Sequence, residues 1–119
     1  MHTELIRNKY LPSKIKLLLV GESPPYNGKF FYVKSAMTTF TSRPFERVFN
    51  LEFSGEQEFL KYFMASGCFL DDLCHEPIDQ LPAYERELKL KKCIPDFTNR
   101  LLTWQPKIVC IILRKIENM

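Results

Sequence analysis

The sequence predicts an α/β domain with three layers, in which helices cover both faces of a mainly parallel central sheet. Three nearly continuous apolar runs occur along the chain, and each has the length of a strand that is buried on both faces. Segments with helical spacing of apolar residues lie between these runs. Because a right-handed crossover brings the chain back to the same sheet, this alternation favours parallel strands.

The size and composition are those of one folded domain. The chain has 119 residues, so we predict a single α/β domain over residues 1–119. A content of 45% hydrophobic and 26% charged residues is enough for one core and argues against disorder. No stretch approaches the roughly 20 apolar residues of a membrane span, and residues 1–11 lack the apolar core of a secretory signal. We therefore predict a cytoplasmic protein that does not contact a membrane.

The first part of the chain predicts a short helix, a strand and a broken helical segment. Residues 4–10 favour a short helix, and Pro12 separates it from an apolar strand at residues 15–20. A loop continues from this strand to Tyr32. Residues 35–50 have partly helical spacing that Pro44 interrupts, which predicts one broken helix or two short ones.

The clearest helix begins after Ser54. This residue is a candidate N-cap with Gln57 as a capping-box partner, and the apolar stripe that follows ends before Gly67. Residues 68–73 predict the second strand, which is apolar where it begins and acidic where it ends.

Two further helices and a third strand are predicted beyond it. Residues 80–92 favour a charged helix with Pro82 in its first turn, and residues 95–104 favour a separate helix that Pro106 stops. In the first of these helices we expect the inward-facing residues to be Tyr84, Leu88 and Leu90. Residues 107–113 predict the third strand, in which Cys110 is expected to lie in the core.

The spacing of the cysteines gives no metal or redox motif. Cys68, Cys74, Cys93 and Cys110 lie far apart, and none forms the Cys-x-x-Cys pair that is typical of zinc knuckles and thioredoxin-like sites. We therefore predict no metal site.

A candidate site lies where the first strand ends. Open parallel sheets bind ligands at the carboxyl ends of their strands, and residues 21–32 place glycine, acid, hydroxyl, proline and aromatic side chains at that position. Asp71 and Asp72 occupy the corresponding end of the second strand.

Two segments resemble the uracil-DNA glycosylase superfamily. The turn Gly21-Glu22-Ser23-Pro24-Pro25, followed by Gly28-Lys29-Phe30-Phe31, resembles the first motif of that superfamily. Residues 93–112, in which a helix ends at Gln105-Pro106-Lys107 before a strand, are similar to the segment where a proline-lysine pair precedes a central strand. The resemblance extends over residues 15–113, and its sharpest part is residues 21–32.

The resemblance implies hydrolysis of the N-glycosidic bond of a damaged or deaminated base in DNA. Such a reaction needs an extruded base, a stacking face, hydrogen bonds to the base edge and stabilisation of a cationic sugar. The resemblance implies that Glu22 and Ser23 are the catalytic residues. Glu22, or a water held by Glu22 and Ser23, would act near the sugar. Phe31 would stack on the base. The residues that the resemblance implies in base or DNA binding are Gly21, Pro24, Pro25, Gly28, Phe31, Tyr32, Asp71 and Asp72.

Each of these assignments has a structural alternative. Phe30 and Phe31 are equally well explained as core aromatics, and Glu22 as a helix cap or as a partner of Lys29. The superfamily often has an asparagine near the end of its second strand, whereas an ionised aspartate can only accept hydrogen bonds. Asp71 and Asp72 therefore imply either a changed base preference or a structural role, as turn caps or as partners of lysines. His75 is interpreted as a loop residue.

Departures from the superfamily limit what the resemblance implies. No cysteine precedes Gly21, so we predict no iron–sulfur cluster and no other cofactor. The last strand and the histidine-containing second motif of the superfamily have no counterpart before Met119. We therefore expect a glycosylase-like fold that lacks its last strand and is incomplete on its C-terminal side. An active and an inactive short form both stay open as alternatives. The third strand would then form an open edge, which predicts a homodimer or a truncated chain.

Three function classes remain after these observations. The first is a glycosylase-like hydrolase that acts on DNA, and the second is a non-catalytic module that binds nucleic acid or nucleotides. The third is a structural or interaction remnant of the same fold. The net charge of +3 is compatible with DNA as a partner but does not require it.

Overall fold

The structure, a computed structural model, describes residues 2–28, 30–33 and 35–112. It confirms an α/β fold with a parallel sheet. The strands pair in the order β2-β1-β3, and both pairings are parallel. The elements in chain order are α1 His2–Asn8, β1 Leu17–Gly21, α2 Ala36–Phe49, α3 Glu56–Ala65, β2 Cys68–Asp72, α4 Ala83–Trp104 and β3 Ile108–Ile111.

The first strand is the centre of the sheet. Leu17 of β1 pairs with Cys68 of β2 on one side and with Ile108 of β3 on the other. Leu18 and Val20 are almost fully buried. The carboxyl end of β1 therefore lies between the ends of both neighbours, where a ligand site in an open parallel sheet is expected.

An aromatic cluster forms most of the core. Phe31 packs edge-on against Tyr32 and Phe59, and its ring centroid lies 5.3 Å from that of Phe63. Phe69 of β2 contacts the ring of Tyr32 and also that of Trp104. Because Trp104 is the last residue of α4, this contact fixes the end of the helix on the sheet.

The outer edge of β2 is closed by a side chain. The N–H of Leu70 donates to the hydroxyl of Tyr32 at 2.6 Å, and that hydroxyl donates to the carbonyl of Leu70 at 2.9 Å. One phenol thus satisfies two backbone groups that would otherwise lie unpaired at a sheet edge.

The helix α2 is continuous through Pro44. The prediction of one broken helix or two short ones is therefore wrong. Proline removes one backbone hydrogen bond from a helix interior, so other contacts have to hold the helix together at this point. Phe45, the next residue, packs its ring against Phe59 and Phe63 of α3, and these contacts hold α2 in place.

The predicted helices at 80–92 and 95–104 form one helix, because α4 runs unbroken through Pro95. Contacts on both sides of the proline explain this continuity. Cys93 forms a disulfide bond with Cys74, and Phe97 is buried in the core. Tertiary contacts thereby outweigh the local cost of the proline, which is about 3 kcal/mol.

The expected orientation of α4 is also corrected. Tyr84 is 74% exposed and Leu88 is 42% exposed, whereas Leu90 is partly buried. Tyr84 and Leu88 each lie two residues from Arg86, which is about 200° around a helix. Since Arg86 faces the sheet edge, these two side chains point away from it.

The cap of α3 differs from the prediction by one residue. Gly55 is the N-cap and makes no side-chain hydrogen bond. The Ser54 hydroxyl and backbone N–H instead both donate to the Glu58 carboxylate, each at 3.1 Å. The carboxylate therefore reaches back to the preceding turn in place of a capping box.

The third strand lies at an edge and is exposed along its length. Ile108, Val109 and Ile111 are between 43% and 61% exposed, and Cys110 is exposed as well. The expectation that Cys110 is a core residue is therefore wrong, because no described element covers this strand. The predicted end of the strand, beyond residue 112, lies outside the described residues.

No helix in the described ranges has the length and apolar character needed to cross a membrane.

Candidate active site at the carboxyl edge of the sheet

The chain segments that follow β1 and β2 are hydrogen-bonded to each other. The N–H of Leu73 donates to the carbonyl of Gly21, and the N–H of Cys74 donates to the carbonyl of Glu22, both at 2.9 Å. These bonds continue the parallel pairing beyond the strands. They place Glu22 against the loop that carries His75.

The loop after Glu22 rests on the same neighbour. The N–H of Ile78 donates to the Ser23 hydroxyl at 3.4 Å, and the N–H of Tyr26 donates to the Asp79 carboxylate at 3.1 Å. Pro24 is fully buried and Pro25 is partly buried. The two prolines therefore hold a loop that is anchored at both Ser23 and Tyr26.

The turn closes at Gly28. Its N–H donates to the carbonyl of Pro25 at 3.2 Å, and its φ angle is 81°. Glycine adopts this left-handed conformation without steric cost, which explains the residue at this position.

Gly21 is required for a different reason. A Cβ atom at this position would lie 2.6 Å from the Asp72 carboxylate oxygen, which is closer than van der Waals contact allows. The absence of a side chain at the end of β1 thus makes room for the carboxylate at the end of β2.

Glu22 is a buried carboxylate with one occupied oxygen. The residue is 3% exposed, and its Oε2 accepts a hydrogen bond from Nε of Arg86 at 2.5 Å. Its Oε1 is buried and has no hydrogen-bond partner among the described residues. Arg86 offsets the charge, and the free lone pairs of Oε1 can accept a proton or a hydrogen bond from a bound molecule. Lys29, the alternative partner, lies outside the described residues.

Asp71 and Asp72 form buried ion pairs with arginines. Asp71 accepts hydrogen bonds from Nε of Arg100 and from Nε2 of His75, both at 2.8 Å. Asp72 accepts a hydrogen bond from Nη2 of Arg7 at 3.1 Å. These contacts favour a structural role for the two aspartates over a role in base recognition. The partners are arginines and a histidine, whereas lysines were expected. These partners occupy both carboxylate oxygens of Asp71 and one carboxylate oxygen of Asp72.

The pKa values of these two groups move in opposite directions. Burial would raise the pKa of Asp71, but the hydrogen bond from His75 and the charge of Arg100 outweigh it and hold that pKa below 3.8. Burial raises the pKa of Asp72 to about 6, despite the opposing charge of Arg7. Asp72 therefore changes its charge near neutral pH.

His75 connects the network to the first helix. Its Nε2 bonds to Asp71 and its Nδ1 to the Glu4 carboxylate in α1. The hydrogen bond from His75 lowers the pKa of Glu4 below 4.5. His75 lies in a loop as expected, but both of its ring nitrogens are occupied, so it ties α1 to the end of β2.

The aromatic candidates lie below the edge and inside the core. Phe31 is 3% exposed and packs against the rings of Tyr32, Phe59 and Phe63, the last two in α3. Phe30 is 3% exposed and lies under the Arg7 guanidinium, 5.5 Å from its ring centroid. These contacts agree with the alternative in which Phe30 and Phe31 are core aromatics. Tyr32 is equally buried and serves the edge of β2, and burial raises its pKa well above 10.

The arginines of the site were not predicted from the sequence. Arg86, Cys93 and Arg100 are spaced by seven residues, which places them on one face of a continuous helix. This spacing was a usable signal, but it disappears when Pro95 is taken as a helix end. Arg7, which is 2% exposed, gave no signal because it lies far from the site in the sequence.

A cavity of about 270 Å³ opens beside the edge, between the loop after β2 and α4. Cys74, His75, Cys93 and Arg100 are among the residues that line it. Within the described ranges, no group of three or more histidine, cysteine or acidic side chains is arranged to hold a metal ion.

Comparisons with protein-family models, with curated proteins and with solved structures gave no significant match.

Proposed function

We propose that the protein is a uracil-DNA glycosylase-like hydrolase of base excision repair, which acts on a damaged or deaminated base in DNA. The proposal includes the finer description of the fold as a three-layer, glycosylase-like sandwich. The observation that carries it is the position of Glu22. This buried carboxylate follows the central parallel strand directly, and it has one oxygen on Arg86 and one without a partner among the described residues.

Such a carboxylate suits the chemistry of N-glycosidic cleavage. As the bond to the base breaks, the sugar becomes cationic, and a fixed negative charge in a water-poor site stabilises it. The unpartnered Oε1 can also accept a proton from an attacking water. Ser23, the next residue, is partly exposed and would help to hold that water through its hydroxyl.

The rest of the binding site follows from the same loop. Gly21, Pro24, Pro25 and Gly28 shape a turn that is anchored to the loop after β2. In this proposal the backbone of the turn contacts the base or the DNA strand. Four buried residues support the turn, because they hold the sheet edge that the turn contacts. They are Phe31, Tyr32, Asp71 and Asp72.

The test is release of free base from oligonucleotides. Single-stranded and double-stranded oligonucleotides with one uracil are incubated with the full chain, and the free base is measured by liquid chromatography. We expect release that is lost in Glu22→Gln. Glu87→Gln is the matched control, because Glu87 is 66% exposed on the outside of α4.

The alternative outcomes identify the other function classes. Binding of oligonucleotides that weakens with salt, without release of any base, would indicate a non-catalytic nucleic-acid module. If neither release nor binding is found with several damaged bases, the remaining function class is a structural or interaction domain.

We further propose that β3 pairs with β3 of a second subunit. The N–H groups of Ile108 and Ile112 donate to carbonyls of Lys16 and Val20, next to and within β1. The backbone groups of Val109 and Ile111 therefore point to the open edge. An antiparallel pair about a two-fold axis would bond these groups and place Cys110 of one subunit opposite Cys110 of the other.

A cytoplasmic location remains a prediction from the sequence.

A further inference from the structure

We infer that the Cys74–Cys93 disulfide is a thiol-exchange site, at which a small-molecule thiol enters the neighbouring cavity and forms a mixed disulfide with Cys93. The exchange does not depend on the proposed glycosylase activity. It follows from where the bond lies and from which of its two cysteines is the more exposed.

The disulfide joins two parts of the candidate site. Cys74 lies in the loop after β2, and Cys93 lies in the middle of α4. Their Cα atoms are 5.4 Å apart, within the usual range for disulfides. Both cysteines line the cavity of about 270 Å³, so the bond borders open space and is not enclosed by the core.

The two cysteines differ in exposure. Cys74 is 1% exposed, whereas Cys93 is partly exposed. An incoming thiolate attacks the sulfur that it can reach, and the other sulfur leaves. The charges around the cavity do not favour or oppose this approach, because three cationic side chains balance three carboxylates apart from His75. Access therefore selects Cys93.

The exchange proceeds in two balanced steps. In the first step the thiolate of a small thiol bonds to Sγ of Cys93, the bond between the two cysteines breaks, and Cys74 leaves as a thiolate that takes a proton from water. In the second step another small thiolate attacks the sulfur of the first small thiol, the bond between that sulfur and Cys93 breaks, and Cys93 leaves as a thiolate that takes a proton from water. Two small thiols are oxidised to one disulfide, and the disulfide of the protein is reduced to two thiols.

Opening this bond would change the candidate site. The N–H of Cys74 bonds to the carbonyl of Glu22, and α4 carries both Arg86 and Arg100. The disulfide is the covalent link between that loop and that helix. If the protein is cytoplasmic, as the sequence predicts, it meets a pool of reduced thiols, and disulfides in that compartment are mostly transient.

The first test uses the full chain with Cys110→Ser, which removes the exposed free thiol and leaves only the buried Cys68. The folded protein is incubated with reduced glutathione at neutral pH, quenched with acid at intervals and analysed by intact mass and peptide mapping. We expect a transient adduct of one glutathione on the peptide with Cys93, followed by two free thiols. An adduct that forms first on Cys74, or a bond that resists glutathione until the protein is unfolded, would overturn the inference.

The second test compares the two cysteines one at a time. In the same background, Cys74→Ser leaves Cys93 as a thiol, and Cys93→Ser leaves Cys74. An aromatic disulfide reagent should modify Cys93 about tenfold faster than Cys74, and urea should abolish the difference. Circular dichroism verifies that both variants fold. Equal rates in the folded variants would contradict the selective access of Cys93, and the first test does not depend on either variant.

Discussion

The hydroxyl of Tyr32 accepts the N–H of Leu70 and donates to its carbonyl, so a side chain from the loop after β1 closes the outer edge of β2. Replacement of Tyr32 by phenylalanine leaves both backbone groups buried and unpaired. We expect a loss of roughly 1–3 kcal/mol in the free energy of unfolding, measured with urea. Tyr26→Phe is the control, because Tyr26 is 63% exposed and its loss should stay within about 0.5 kcal/mol. Equal losses would contradict the edge contact.

Gly21→Ala should destabilise the protein through a steric clash. The added Cβ would lie 2.6 Å from Oδ1 of Asp72, so the carboxylate has to move away from its position near Arg7. We expect a loss of roughly 1–3 kcal/mol in urea unfolding. Gly55→Ala serves as the comparison, since nothing lies within 4 Å of a Cβ at that position, and its effect should be smaller.

Asp72 should make the stability depend on pH near neutrality. Its pKa is raised from 3.8 to about 6 in the folded protein, so the folded state binds the proton more tightly than the unfolded state. The stability that this group contributes is full below pH 3.8 and is lost as the pH rises through 6. Between pH 5 and pH 7 the loss is roughly 1 kcal/mol.

The variant Asp72→Asn cannot titrate, so its unfolding free energy should lose this decline between pH 5 and pH 7. Asp71 does not interfere in this window, because its pKa lies below 3.8 and its contribution is lost only as the pH falls through that lower value. Parallel pH profiles for the wild type and the variant would show that Asp72 does not titrate near 6.

Glu22 and Arg86 should be energetically coupled. Arg86→Gln leaves a buried carboxylate without its cation, which costs several kcal/mol when both groups are fully buried. Because the Arg86 side chain is 22% exposed, we expect a smaller loss, about 2 kcal/mol. The double variant with Glu22→Gln should recover more than half of it. Additive losses in a urea double-mutant cycle would mean that the two side chains act independently.

The edge of β3 should be covered in solution. Size-exclusion chromatography with light scattering is expected to report a dimer, and mild oxidation should link its subunits through Cys110. The variant Cys110→Ser should remain a dimer without forming the link. A monomer in which β3 stays open to solvent would contradict the proposed pairing.

The sheet was predictable because its strands are encoded locally. The apolar runs that end near Gly21, Asp72 and Ile111 each give a strand, and their parallel pairing follows from the helices between them. The position of Glu22 at the end of the first strand followed from the same pattern, whereas the central place of that strand is known only from the structure. What failed was the inference at two of the prolines. Pro44 and Pro95 break helices by local rules, but contacts from distant parts of the chain hold both helices together.

The partners of the site were not predictable for a related reason. That Arg86 and Arg100 face the same edge depends on α4 being continuous through Pro95, and that depends on Cys74, nineteen residues before Cys93. The role of Tyr32 depends on which backbone groups of β2 face outward, and this is known only once the register with β1 is known. Pairwise chemistry of this kind is set by the assembled fold and not by neighbouring residues.

The heptad spacing on α4 fixes the number of residues between Arg86 and Arg100. Arg86, Cys93 and Arg100 reach Glu22, Cys74 and Asp71 from one rigid body that spans about 21 Å between the two arginines. Deleting or inserting one residue between them would rotate one end by about 100° relative to the other. One of the three contacts would then have to break. Exposed residues between Arg86 and Arg100 can therefore be replaced more easily than the number of residues that separates the two arginines can be changed.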